Sequence, residues 1–185
     1  MKQNLLRRNL WNTAGKAGLA LGGTSSAFLF INHALTSLEL TGFASTVINF
    51  AMWAAKFGGC IWLMAFFMKK FVAENPEADN SGTYRLGMAS AFLSALIFAA
   101  VSFADIAFIS ADTYVQMKEM MMQQMGSLMD SNTQTVMENM FNNLPQYMFF
   151  ANLIYCFLYG TILSAILSRS IPSRNPFADY KPEDQ

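Results

Sequence analysis

Groups able to carry chemistry are scarce in this chain. It has one histidine, two cysteines and only 13% charged residues. A single histidine rules out metal centres built on several imidazoles. The cysteines, Cys60 and Cys156, stand far apart with no C-x-x-C or Cys/His spacing, so no local zinc or dithiol motif is written. The P-loop, H-E-x-x-H, nucleophile-elbow and dinucleotide glycine patterns are all missing. Formal net charge is zero, which removes the electrostatic reason to expect nucleic acid. Three of the five prolines fall in the tail from Pro172, which reads as loose chain.

What the chain has is apolar length. Four segments, 17–38, 47–68, 86–109 and 147–168, are each long enough to cross a hydrocarbon core of about 30 Å at about 1.5 Å per residue. Ten of the twelve Lys and Arg residues lie on one side of them. Lys2, Arg7, Arg8 and Lys16 precede the first segment, Lys69, Lys70 and Arg85 separate the second from the third, and Arg169, Arg174 and Lys181 follow the fourth. Positive residues stay in the cytoplasm, so both termini are expected inside. The expected organisation is a cytoplasmic N-terminus over 1–16, a membrane domain over 17–168 and a cytoplasmic tail over 169–185. The first segment is read as an uncleaved span, because Gly22, Gly23, Thr24, Ser25 and Ser26 interrupt it and no small-residue cleavage site follows. The basic face also carries Glu74, Glu77 and Asp79, so it is mixed rather than polybasic.

The connections have their own signals. Turn residues from Glu39 to Gly42 mark a short outer loop, and those between Met68 and Leu86 mark a longer cytoplasmic one. The largest extramembrane piece, 110–146, repeats apolar residues at helical spacing: Tyr114, Met117, Met121 and Leu128. Asp112 is its expected N-cap, and Gly126 or the Asp-Ser-Asn at 130–132 its expected end. A second helix is expected from a capping box of Ser131 and Gln134, with Pro145 in the first turn of the last span. The expected fold class is therefore all-α: a polytopic four-span bundle with an amphipathic helical segment between spans three and four.

This order of elements resembles a known family. Two spans and a cytoplasmic loop lead to Tyr84-Arg-Leu-Gly87, then a small-residue span, the outer run Gln116-Met-Lys-Glu-Met-Met-Met-Gln-Gln124, and a last span ending in a basic residue. The chain is similar to domain-of-unknown-function family 4199, four-helix inner-membrane proteins of Bacteroidetes-type bacteria. The resemblance implies location in the bacterial inner membrane and a multi-pass topology. It carries no activity and no site residues.

Small residues recur every four positions: Gly18, Gly22 and Ser26; Ala51, Ala55 and Gly59; Ala91, Ala95 and Ala99; Cys156, Gly160, Ser164 and Ser168. Such ladders let helix backbones approach closely, so Gly18, Gly22, Gly59, Ala95, Gly160 and Ser164 are expected packing positions in the bundle or in a homo-oligomer. Lys56 is the sharpest polar feature. It lies about 14 Å below the start of its span, near the midplane, where a charge costs about 2.5–3.5 kcal/mol and needs a partner. Asp105 is the expected one. Side chains lean toward their helix N-terminus, and the two spans run oppositely, so the two lean toward each other. His33, Asn49, Asn152 and Tyr155 share the same half, and an intramembrane polar cluster is expected there.

Two readings of that cluster compete: a buried ion pair fixing helix register, and a water-accessible site handling a proton or ion, with His33 titrating near neutral pH. The methionines offer a third idea, because Met117, Met120, Met121 and Met125 present soft thioethers that suit Cu(I) but suit an adaptable apolar face better. The leading expectation is a non-enzymatic membrane component without cofactors, contacting lipid and a second copy or another membrane protein. A small oligomeric ion- or proton-coupled transporter is the alternative, and an outer-face Cu(I) binder the weaker one.

Overall fold

The computed structural model describes residues 2–36, 43–125 and 130–171. All regular structure among them is helical: α1 Lys2–Thr36, α2 Phe43–Glu74, α3 Asn80–Ala104, α4 Ala111–Met125, α5 Ser131–Asn142 and α6 Leu144–Ser170. A π-helical turn, Asp105–Ile109, prolongs α3. The connection at 37–42, the expected helix end at Gly126 and the tail beyond residue 171 lie outside the described residues.

Three stretches are long and apolar enough to cross a membrane: Phe43–Glu74, Asn80–Ile109 and Leu144–Ser170. Helix α1 is not among them, because basic residues up to Lys16 and the polar Gly22–Ser26 run dilute its apolarity. The chain is nevertheless helical from Lys2, and α1 runs without a break through residues 2–16. Leu6 and Leu10 pack on the core and Ala14, Ala17 and Leu21 are buried, a three- and four-residue spacing that extends one contact face down the helix.

Helix α3 is the centre of the bundle. It packs against α1 on one side and α6 on the other, while α2 reaches the bundle mainly through α1. Contacts set the registers. Gly18 faces Leu93, Gly22 faces Ile97 and His33 faces Asp105, so α1 and α3 run parallel. Gly87 faces Ser164, Gly160 faces Ala91 and Ser102 faces Asn152, so α6 runs antiparallel to both. A Cβ at Gly18 would stand 2.6 Å from the Leu93 Cβ, and one at Gly160 would stand 2.5 Å from that of Ala91. Neither distance is tolerated, so the small side chains are what allow the backbones to meet.

At the end carrying the α2–α3 turn, Met64, Met68, Phe71, Val72, Leu86 and Ile171 form the apolar core. The expected long loop between Met68 and Leu86 contracts to residues 75–79. Burial of Phe71 and Val72 carries α2 on to Glu74, and Asp79 caps α3 by accepting the Gly82 N–H. Asn75 donates to the Phe71 carbonyl at 2.9 Å and accepts from Asn9 at 3.1 Å, pinning the turn to α1.

The opposite end carries α4 and α5. Two expected caps move. Asp112 sits in the first turn of α4 rather than at its cap, because α4 follows the π turn almost without a break. The α5 cap is Asp130, whose carboxylate accepts the Thr133 N–H at 2.9 Å, one residue before the expected Ser131. Pro145 occupies the first turn of α6 as expected, where its missing N–H costs least.

Candidate functional site

Polar groups in the bundle gather at two places. The first is the buried end of α3. Five residues separate the Ser110 N–H from the Asp105 carbonyl it donates to at 2.7 Å, which closes the π turn. The Ser110 hydroxyl also donates to Asp105 Oδ1 at 3.0 Å, so two bonds between the same residues hold the widened turn. His33 Nδ1, on α1, stands 3.5 Å from the same Oδ1. The carboxylate is 2% exposed and the imidazole 39%, so a buried acid meets a half-open base. Tyr114 on α4 is close enough to feel this charge. Burial raises its hydroxyl pKa above the ordinary tyrosine value, and the Asp105 carboxylate raises it further. One carboxylate thus ties α1, the end of α3 and the start of α4 together.

Lys56 is not part of this group. Its ammonium lies over the Phe98 ring, 4.8 Å from the centroid, and no ion pair joins it to Asp105. The expected pairing fails because Lys56 meets α3 at Phe98, seven residues or about 10 Å along the helix from Asp105, and because Asp105 is already engaged by Ser110 and His33. An aromatic face replaces the carboxylate. Lys56 instead lines a cavity of about 100 Å³ between α1, α2, α3 and α6, together with Ser25, Cys60, Met64, Tyr155 and Cys156. Both cysteines of the chain are free and face this one space. No spacing in the chain signals that they share a cavity, because Cys60 and Cys156 stand on different helices. Ser25 Oγ is 3.7 Å from Cys60 Sγ.

No family model, no curated protein and no solved structure matches the chain. The resemblance to family 4199 rests on layout and residue bias alone.

The remaining expected positions divide. Asn152 donates to the Ser102 hydroxyl at 2.9 Å and joins α6 to α3. Asn49 is exposed and donates at 3.4 Å to Ser45 on its own helix, so it stays out of the cluster. Tyr155 is 62% exposed and belongs to the cavity rim rather than to the Asp105 group. Gly18, Gly22, Ala95, Gly160 and Ser164 pack in the bundle, but Gly59 has nothing within 4 Å of its Cβ position. The α4 residues Met117 and Met120 are exposed and Met121 is half-buried, while the Met125 side chain lies outside the described residues. Lys118 donates to Asn142 at 3.4 Å, linking α4 to α5 on the surface. No trio of His, Cys, Asp or Glu gathers as metal ligands among the described residues.

Toward the α2–α3 turn, hydroxyls bond to backbone. Ser90 donates to the Leu86 carbonyl at 2.8 Å, Ser164 to that of Tyr84 at 3.0 Å and Ser168 to that of Ala165 at 3.1 Å. These groups satisfy themselves and serve helix packing.

Proposed function

We propose that this chain is a four-span protein of the bacterial inner membrane, with both termini cytoplasmic, that acts without catalysis by pairing α2 with α2 of a second copy. The charge partition supports the orientation, because Arg7, Arg8, Lys16, Lys69, Lys70, Arg85 and Arg169 all belong to one end of the bundle. Helix α1 counts as a span in this reading because its contact face follows the membrane-length α3 from Gly18 to His33.

One observation carries the reading. Three of the four small-residue ladders are used inside the chain, and the fourth is not. Ala51 and Ala55 are exposed, and neither Gly58 nor Gly59 has an atom within 4 Å of its Cβ position. In a bilayer, such a ladder gains most from another ladder, since lipid chains cannot approach a helix backbone as closely as a second helix can. The same ladder on a twofold-related copy is self-complementary.

The test is the monomer–dimer equilibrium of the full chain in bilayers, followed by single-molecule photobleaching over protein density. Wild-type chain is expected to pair, and Gly59→Leu to shift the equilibrium at least tenfold toward monomer. Equal behaviour of the two would remove the proposal. A transport role for Lys56, Asp105 and His33 has less support, because Lys56 stands apart from the other two and the Ser90 and Ser164 hydroxyls beyond it bond to backbone carbonyls.

A further inference from the structure

The cavity beside Lys56 joins features that neither helix packing nor pairing of α2 uses. The chain has two cysteines, on different helices, and both face this space of about 100 Å³. Met64 lies one turn from Cys60 on α2 and lines the cavity farther in, its methyl 3.2 Å from the Cβ position of Gly87, which leaves Cys60 and Cys156 as the two sulfurs nearest Lys56 in sequence depth. No carboxylate and no imidazole lines it. The donor set is therefore soft, which selects against magnesium, calcium and manganese and in favour of Cu(I).

Charge narrows the choice further. Lys56 lines the cavity with only the Phe98 ring against its ammonium, and no carboxylate pairs with it. A lone cation among membrane helices is costly, so an anionic occupant of the cavity stabilises it. Two thiolates around a monovalent cation carry one net negative charge, which the Lys56 ammonium neutralises. A divalent cation on the same ligands leaves the site positive. The Ser25 hydroxyl, 3.7 Å from Cys60 Sγ, is placed to support a thiolate there.

We propose that Cys60 and Cys156 form an intramembrane site for a soft monovalent cation, Cu(I), with Lys56 as the counter-charge. On binding, each thiol S–H bond breaks and a sulfur–copper bond forms. Two protons leave to the medium per ion, and copper stays Cu(I), so no oxidant or reductant takes part.

The full chain in nanodiscs, under anaerobic conditions, is titrated with Cu(I) against the chelator bathocuproine disulfonate. One Cu(I) per chain is expected to be withheld. Cys60→Ser and Cys156→Ser should each weaken retention at least tenfold, and Lys56→Met should weaken it too. A quadruple Leu variant at Met117, Met120, Met121 and Met125 should retain copper as wild type does. No retention, or retention that follows the α4 methionines, overturns the proposal. A measurement on wild-type protein guards against misfolded variants: one equivalent of Ag(I) should protect both cysteines from maleimide together. Labelling of either cysteine at its metal-free rate overturns it as well.

Discussion

Asp105, at the end of the central helix, holds His33 of α1 at 3.5 Å while accepting the Ser110 hydroxyl at 3.0 Å. The carboxylate is buried and the histidine is not, so the two residues should differ in weight. Asp105→Ala leaves the Ser110 hydroxyl without its acceptor, while the backbone carbonyl that closes the π turn remains. It should cost about 1–3 kcal/mol in a reversible unfolding assay in micelles. His33→Gln should cost less. A double-mutant cycle on His33→Gln and Asp105→Asn should show coupling of about 0.6 kcal/mol, the mean for intramembrane polar contacts. The cycle on Lys56→Met and Asp105→Asn should be additive; coupling there would place Lys56 back beside Asp105.

The glycines separate packing inside the chain from packing outside it. A Cβ at Gly22 would stand 2.8 Å from that of Ile97, whereas Gly59 has open space. Gly22→Leu should therefore destabilise the monomer by about 1–3 kcal/mol, as overpacking does. Gly59→Leu should leave monomer stability within error. A loss at Gly59 equal to that at Gly22 would mean that α2 lies closer to its neighbours.

Thr161 Oγ1 is buried without a hydrogen-bond partner among the described residues. An unmet hydroxyl is a desolvation cost of about 1–3 kcal/mol, and Val keeps its shape. Thr161→Val should raise stability or leave it unchanged in the same unfolding assay. Destabilisation would show that the hydroxyl has a partner.

The α5 cap should respond to acid. Hydrogen bonds from Thr133 lower the Asp130 carboxyl pKa below its ordinary value. A lowered folded value means the cap is complete above the unfolded carboxyl range, about 3.9, and is lost as pH falls through the folded value. Amide exchange in α5 should accelerate over that interval in wild type. Asp130→Asn, which caps without titrating, should show no such step. A step of equal size in both would assign it to another group.

Much of the architecture was legible because periodicity and charge act locally. The apolar lengths of α2, α3 and α6, the Pro145 start and the ladders on α1, α3 and α6 all follow from residue order. The sites were legible only in part. His33 and Asp105 meet, but Asp105 was matched to Lys56 on helix direction and depth alone. Neither fixes the register: Lys56 meets α3 at Phe98, seven residues before Asp105, so an aromatic ring takes the place of the acid. The shared cavity of Cys60 and Cys156 depends on the same tertiary arrangement, and no spacing in one helix encodes it.

Pairing through α2 is tested most directly by cross-linking in native membranes. In a Cys60→Ser, Cys156→Ser background, single cysteines at Ala51 and Ala55 should form interchain disulfides under mild oxidation. Single cysteines at Ile154 and Ile162 should not, since those residues are exposed on the far stripe of α6. Cross-linking confined to α2 is the expected result. Cross-linking that is absent at Ala51 and Ala55, or equal on both helices, would contradict the account.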